Sequence, residues 1–334
     1  MTILSRVDGV VRFLGAITET TQPGVRRSLR SKSVMAVTTD PAAASIGDEL
    51  AHHRLGLDLP AGWWPTTPRL KGWEAAGFGV VQITIAAREL LRDRGLLEAH
   101  AAALRAGLGL TGMRLVLHAP SDLVPGARRD DALLGGALCY AEVAGAELLV
   151  VHSGGADGAE RSLRRLARWA ADTGVRVAVE NCAPQYPGEE CADHDPRVIG
   201  ELVRRVGCQE VGMCLDVGHA YIAADRLGRD LAELIEPLLD DVVLFGIHDN
   251  FGARSGAERA GGIEPMRLDL HLAPGAGSVP WPTIAPLLAP HAAPLVLEVH
   301  PGQRPVPATL AVVMRELLGL RRPLAGHHPH VLGA

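Results

Sequence analysis

Histidine, aspartate and glutamate recur at the ends of hydrophobic runs in this 334-residue chain. Six consecutive runs end in such a side chain, at His118, His152, Glu180, Asp216, His248 and Glu298. Buried imidazoles and carboxylates at one place would repel each other or stay unsatisfied unless a cation organised them. Mixed nitrogen and carboxylate ligands suit Zn, Mn, Fe or Co better than Ca or Mg. The pattern therefore predicts a site for a divalent transition metal.

Three more candidate ligands lie close to this series. His219 follows Asp216 by three residues, and Asp269 precedes His271 by two within the segment DLHLAPGAGSVPW. The glycines of this segment allow the backbone to approach a neighbouring group closely. His300, two residues after Glu298, is interpreted as a supporting residue of the site.

Positioning these residues requires eight strand–helix units. The predicted strands are Leu55 to Leu59, Phe78 to Ile85, Met113 to Ala119, Glu147 to Ser153, Val175 to Asn181, Val211 to Gly218, Val242 to Asn250 and Pro294 to His300. They are continuous in Val, Leu and Ile, as expected for parallel strands covered on both faces. An amphipathic helix is predicted over Glu160 to Thr173, ending at Gly174.

This alternation predicts an α/β fold, a single-domain (β/α)8 TIM barrel over residues 46–320. The rival is a doubly wound open sheet, but no glycine-rich phosphate fingerprint follows the first strand. In a TIM barrel the strand ends meet at the C-terminal mouth, where active sites of this fold lie. Residues 1–45 and 321–334 are interpreted as disordered extensions, and Met35 is an alternative start to Met1.

Composition narrows the functional classes. The net charge is −5 and aromatic residues are 4% of the chain, which argues against a nucleic-acid partner. No apolar stretch is long enough for a membrane helix. Five cysteines without a CxxC pair argue against a disulfide framework and favour a cytoplasmic location. A homo-oligomer is possible, but the oligomeric state is not readable from the sequence.

Several segments resemble the xylose isomerase-like barrels, a superfamily of sugar (phosphate) isomerases and epimerases that includes the endonuclease IV-like enzymes. The resemblance covers roughly residues 55–315 and is strongest in VENCAP, CLDVGHA, IHDN, HLAPGAGSVPW and LEVH. In the epimerase branch it implies one metal ion held by Glu180, Asp216, His248 and Glu298. It further implies that Glu180 and Glu298 transfer protons, that His219 contacts the substrate and, in some members, that Arg254 does too.

The endonuclease IV branch implies a different metal content. Three zinc ions there share nine ligands, and the chain supplies a candidate for each: His118, His152, Glu180, Asp216, His219, His248, Asp269, His271 and Glu298. The resemblance therefore leaves one to three ions per chain open, and their identity as Mn, Zn, Co or Fe.

The leading hypothesis is a metal-dependent isomerase or epimerase that acts on a sugar or sugar phosphate through an enediolate. The alternatives are a multinuclear zinc phosphodiesterase, another metal-dependent lyase, dehydratase or oxygenase, and a non-enzymatic binding role. The loops Ala61 to Thr67, Ala183 to Asp195 and Phe251 to Met266 are expected to determine the substrate, which the sequence does not identify.

Overall fold

Eight parallel strands close into a barrel in strict chain order. The computed structural model describes residues 53–60, 62–127, 129–153, 158–189, 192–254 and 266–319. The strands are β1 (Leu55–Leu59), β2 (Val80–Thr84), β3 (Arg114–His118), β4 (Leu148–His152), β5 (Arg176–Glu180), β6 (Val211–Asp216), β7 (Val242–Ile247) and β8 (Leu295–Leu297). Closure comes from the pairing of β1 with β8, in which Leu55 is opposite Leu295. The predicted TIM barrel is confirmed.

The strand residues bury both of their faces. One set of side chains fills the barrel interior, formed by Val80, Val116, Leu148, Val150, Ala178, Cys214, Leu244 and Val296. The other set packs outward against the helices in a second, larger core. This burial on both sides explains why the strands read as continuous apolar runs instead of alternating ones. Cys214 is fully buried in the interior, as its apolar neighbours predict.

Helices alternate with the strands and cover the outside of the barrel. They are α1 (Thr67–Ala76), α2 (Arg94–Leu108), α3 (Asp131–Ala144), α4 (Ala159–Ala170), α5 (Pro196–Val206), α6 (Val217–Leu227), α7 (Leu231–Ile235), α8 (Trp281–Leu288) and α9 (Pro307–Leu317). Aspartates begin several of them, as Asp93 does by accepting a hydrogen bond from the backbone N–H of Leu96 at 3.0 Å. Helix α4 ends three residues earlier than predicted, and Gly174 adopts a φ of 75° in the turn beyond it.

Most strands are shorter than their apolar runs, because the chain leaves the sheet as it reaches the mouth. The clearest case is β8, where pairing ends at Leu297 and His300 donates its backbone N–H to the carbonyl of His271 at 2.7 Å. The predicted extensions at residues 1–45 and 321–334 lie outside the described residues. Within the part of the chain that is described, no helix has both the length and the apolar character that crossing a membrane requires.

Candidate metal centre

The structure brings eight of the nine predicted ligands together at the C-terminal mouth. They form three groups in which the ligand atoms lie within 4.8 Å of one another. The groups are His118, His152 and Glu180; Glu180, Asp216 and His219; and His219, His248, Asp269 and His271. Glu180 and His219 each belong to two groups, so the three form one continuous chain of ligands across the mouth.

The first group lies on three neighbouring strands. His152 and Glu180 are directly opposite each other in the β4–β5 pair. The Oε2 atom of Glu180 lies 3.0 Å from Nε2 of His118 and 3.5 Å from Nε2 of His152. The Nδ1 atom of His118 is 2.5 Å from the carbonyl oxygen of Ala119, a hydrogen bond that leaves Nε2 directed toward the glutamate. Backbone contacts of this kind orient metal-ligating histidines.

The middle group is built by the tight turn from β6 into α6. Asp216 ends the strand and begins the helix, and its Oδ1 atom accepts the backbone N–H of His219 at 2.7 Å. Asn181 holds the same turn from β5, because its side chain pairs with both the N–H and the carbonyl of Asp216. Three residues of separation on one helical turn therefore direct the imidazole of His219 back to the mouth, 3.6 Å from Glu180 Oε1.

His248 follows β7, belongs to the last group and also contacts Asp216 of the middle group. Its Nε2 atom is 3.0 Å from Oδ1 of Asp216 and 3.8 Å from Oδ1 of Asp269. Its ring occupies the space where Gly218 has no side chain, since a Cβ atom on Gly218 would overlap the imidazole. The ring stacks on that of His271 with centroids 4.0 Å apart and planes inclined by 16°.

The long loop after β7 returns Asp269 and His271 to the mouth. Asp249, fully buried, holds this loop by accepting the N–H groups of Gly275 and Val279 and the indole N–H of Trp281 at 2.8 to 3.0 Å. His271 has a φ of 49°, a conformation that few non-glycine residues adopt. Its Nδ1 atom lies 2.6 Å from the carbonyl oxygen of Glu298, which ties the loop to the end of β8.

Glu298, the ninth candidate, is at the mouth but belongs to none of the three groups among the described residues. Its Oε1 atom accepts a hydrogen bond of 2.7 Å from the side-chain amide of Gln82, a residue of β2 that is almost fully buried. Asp58 of β1 lines the same cleft as Glu298. Neither Asp58 nor Gln82 was predicted as a site residue, although each is a single polar residue within an apolar strand, LGLDL or VVQIT.

The two glutamates have opposite electrostatic environments. Burial raises the pKa of a carboxyl, but hydrogen bonds and charges from His118 and His152 hold the pKa of Glu180 well below its usual range. For Glu298, burial and the negative charges of Glu180, Asp216 and Asp58 act together and raise its pKa to about 7. In the metal-free protein Glu180 is therefore ionised at neutral pH, while Glu298 is close to half-protonated.

The histidines carry the compensating charge. Burial alone would lower the pKa of His118, but Glu180 outweighs it and raises that pKa to about 9. Asp269 similarly raises the pKa of His271 to about 9 against burial. Without a cation, the mouth is thus balanced by protons held on imidazoles.

These side chains fit a divalent cation. The Oδ2 atom of Asp216 and the Nδ1 atom of His248 are buried and make no hydrogen bond with any described residue, and Nε2 of His248 approaches Oδ1 of Asp216 at 3.0 Å without hydrogen-bond geometry. Unsatisfied buried acceptors and imidazole nitrogens are costly unless another partner binds them. Their convergence with the histidines and Asp269 is the ligand chemistry that Zn, Mn, Fe or Co prefers. The number and identity of the ions remain the predictions made from the sequence.

The two predicted substrate contacts differ in position. His219 lies within the ligand groups. Arg254 is exposed over 85% of its side chain, and its Nε atom lies 3.9 Å from Asp225. A different arginine, Arg267, lines the cleft of about 410 Å³ that Glu298 and His271 also line. Its Nε donates to the carbonyl of Asp269 at 2.6 Å, which fixes the guanidinium at the cleft wall.

Fold and site together define a TIM barrel with a histidine–carboxylate centre at its mouth. The chain belongs to the xylose isomerase-like TIM barrel family, whose model matches residues 73–317. This confirms the resemblance drawn from the sequence motifs. No curated protein matches the chain.

Solved structures of low sequence identity share the fold. A D-tagatose 3-epimerase-like protein is 18% identical with a TM-score of 0.59, the match covering 80% of this chain and 97% of that chain. A xylose isomerase domain protein from Planctomyces limnophilus is 18% identical with a TM-score of 0.58, covering 80% and 97%. A probable 3-DHS dehydratase from Bacillus anthracis is 12% identical with a TM-score of 0.57, covering 79% and 98%. Because an epimerase-like protein and a probable dehydratase share this fold, the likeness does not by itself determine the reaction.

Proposed function

We propose that this protein is a divalent-metal-dependent isomerase or epimerase of a sugar or sugar phosphate. The observation that carries the proposal is geometric: Glu180 at the end of β5 and Glu298 just after β8 reach one mouth, beside three groups of metal-type ligands. In the metal-free protein their environments push the two pKa values apart, which suits carboxyl groups that act as base and acid in one reaction.

In this proposal the two glutamates transfer protons, and Gln82 and His219 position the reacting groups. Glu180, ionised, accepts the proton from the carbon next to the substrate carbonyl, and Glu298, protonated, gives a proton to the enediolate at the adjacent carbon or opposite face. A bound divalent cation supplies polarisation of the carbonyl oxygen, which lowers the pKa of that C–H bond. Gln82 orients the carboxyl of Glu298 through its 2.7 Å hydrogen bond. His219 is the proposed hydrogen-bond partner of a substrate hydroxyl.

Deuterium exchange tests this directly. Metal-loaded protein is incubated in D2O with a panel of ketoses, aldoses and their phosphates, and incorporation at the exchanging carbon is followed by proton NMR. We expect exchange with at least one sugar, and its loss by at least a hundredfold in Glu180→Gln and in Glu298→Gln. Glu89→Gln, an exposed residue distant in sequence, serves as the matched control and should retain exchange. Exchange that persists in either active-site variant overturns the assigned proton transfers.

A pair of arginine variants tests the substrate contacts. Since Arg267 lines the cleft and Arg254 is exposed beside Asp225, we expect Arg267→Gln to raise KM at least tenfold while Arg254→Gln changes it less than twofold. The reverse ranking would support the role of Arg254 predicted from the family resemblance.

A second function, metal-dependent cleavage of phosphodiesters, is favoured by one specific observation. Asp269 and His271 form a further ligand group with His219 and His248, in addition to the two groups that contain Glu180. Several ligand groups in one mouth are typical of multinuclear sites that generate hydroxide and bind a phosphate for in-line attack. Hydrolysis of bis(p-nitrophenyl) phosphate by zinc-loaded protein, abolished in Asp269→Asn, together with no deuterium exchange into any sugar, would establish this alternative.

A further inference from the structure

A second cavity, the side pocket, lies next to the candidate metal centre. It has a volume of about 240 Å³, and its walls include Trp63, Trp64, Ile85, Leu90, His100 and Tyr140. The loop after β1 supplies the two tryptophans, α2 supplies His100, and α3 supplies Tyr140. None of these residues has a role in the proton transfers proposed above.

The side pocket adjoins the cleft at the metal centre. Trp63 lines both cavities, so the two share this side chain. Thr84, another lining residue, is directly opposite the ligand His118 in the β2–β3 pair. Ile85 donates its backbone N–H to the carbonyl of His118 at 2.8 Å. The side pocket thus begins one strand spacing away from His118, within reach of a molecule bound at the metal centre.

The floor of the side pocket is neutral, and its two polar side chains contact each other. The Nδ1 atom of His100 lies 2.7 Å from the hydroxyl of Tyr140, so these polar atoms bind each other. Burial lowers the pKa of His100 and raises the pKa of Tyr140 to about 12, which keeps both uncharged at neutral pH. The ring of Trp64 meets that of His100 edge-on, with centroids 4.8 Å apart. The floor therefore presents uncharged aromatic rings, which favour an uncharged ligand.

The rim consists mainly of two tryptophans that face solvent, with the guanidinium of Arg69 stacked 4.7 Å from the ring centroid of Trp63. Trp63 is 54% exposed and Trp64 is 44% exposed. Exposed large apolar side chains that are contiguous and border a cavity are typical of a binding site, since covering them removes apolar surface from water. Cavities lined mainly by apolar and aromatic groups bind ligands of the same character.

We propose that the side pocket binds an apolar group, aromatic or branched aliphatic, on a substrate whose reacting carbons lie at the metal centre. Only the position of the reacting carbons at the metal centre rests on the proposed function, because binding of an apolar group can be measured without turnover. It predicts a substituted sugar as substrate in preference to a free one.

Binding is tested with 4-fluorobenzyl alcohol and the full chain, followed by fluorine NMR. Ala87→Phe should fill the pocket, because Ala87 lines it, is exposed, and has an extended backbone (φ −122°, ψ 114°) that phenylalanine readily adopts. Ala103→Phe, on the exposed face of α2, is the matched control. We expect at least tenfold weaker binding in Ala87→Phe and wild-type binding in Ala103→Phe. No binding to the wild type, or equal binding to both variants, overturns the proposal.

The position relative to the metal centre is tested by adding Mn²⁺. In a protein that binds this paramagnetic ion at the mouth, the fluorine resonance of the bound probe should relax faster, and no enhancement would overturn the proposed adjacency. Deuterium exchange should then favour a benzyl ether of an accepted ketose over its methyl ether by about tenfold in kcat/KM, with near parity in Ala87→Phe. If no sugar exchanges, the proposed function fails, while the comparison of Ala87→Phe with Ala103→Phe still decides whether the pocket binds apolar groups.

Discussion

Asp249 offers the sharpest test of how the mouth is held in shape. Its carboxylate is fully buried and accepts four N–H groups, two at each oxygen. Oδ1 accepts those of Asn250 and Val279, and Oδ2 accepts those of Gly275 and Trp281. These bonds connect the end of β7 to the loop that carries two metal ligands. Replacement by asparagine retains the shape and one acceptor oxygen, but sets an NH2 group against two donors.

The size of the effect follows from this count. A hydrogen bond to a charged group contributes about 1.5–3 kcal/mol, and Asp249→Asn loses two. We therefore expect the free energy of unfolding of the metal-free protein to fall by about 3 kcal/mol or more. Trp281→Phe removes the indole N–H that bonds to Asp249. This substitution should lower the free energy of unfolding less in the Asp249→Asn background than in the wild type, with a coupling energy of about 1 kcal/mol.

Urea denaturation followed by circular dichroism gives these free energies, with Asp240→Asn as an exposed control expected to stay within about 0.5 kcal/mol of the wild type. Metal titration of the folded variant should show weakened binding at the group that contains Asp269 and His271. An Asp249→Asn protein as stable as the Asp240→Asn control, with unchanged metal affinity, would refute the role assigned to this carboxylate.

Two further predictions concern the ligands themselves. The pKa of His118 is raised to about 9 in the metal-free protein, so a metal ion must displace its proton in order to bind. Metal affinity should therefore rise between pH 6 and pH 8, by up to about tenfold per pH unit for each proton released. Calorimetry in buffers of different ionisation enthalpy measures the proton release, and a metal affinity that does not depend on pH would contradict the prediction. Gly218→Ala should displace the ring of His248, lower the free energy of unfolding by about 1–3 kcal/mol and weaken metal binding. Gly72→Ala, where an added Cβ meets nothing within 4 Å, should instead stabilise α1 by up to about 1 kcal/mol. Equal effects of the two substitutions in thermal unfolding would contradict the packing argument.

The fold was predictable because its determinants are local. Apolar runs of Val, Leu and Ile separated by amphipathic stretches specify buried parallel strands, and the confirmed barrel follows from repeating that unit eight times. The end of each run was less predictable. In β8 the predicted strand continues to His300, but beyond Leu297 only the N–H of Glu298 still bonds to β7, at Ile247, and the N–H of His300 bonds to the loop at His271.

The convergence of the candidate ligands was predictable because these residues interrupt the apolar pattern at its ends, which meet at one mouth. Asp58 and Gln82 were missed because each is a single polar residue within its strand, whereas the predicted ligands were sought at the strand ends. Only closure of the barrel, which pairs β1 with β8, turns both toward Glu298. The role of Arg254 stays a prediction from the family resemblance, since the structure shows only that its side chain is exposed beside Asp225.

The central claim is that side chains from distant strands bind a divalent cation at one mouth. Metal analysis by mass spectrometry, on protein purified without added metal, tests it most directly when the wild type is compared with Asp216→Ala and with the exposed control Asp240→Ala. We predict one to three Mn, Zn, Co or Fe ions per chain in the wild type and the control, and a lower metal content in Asp216→Ala. A content near one Mn or Co ion would favour isomerisation, and a content near three Zn ions would favour phosphoester cleavage. A folded wild-type protein that carries no such metal and gains no thermal stability when any of these ions is added would contradict the account.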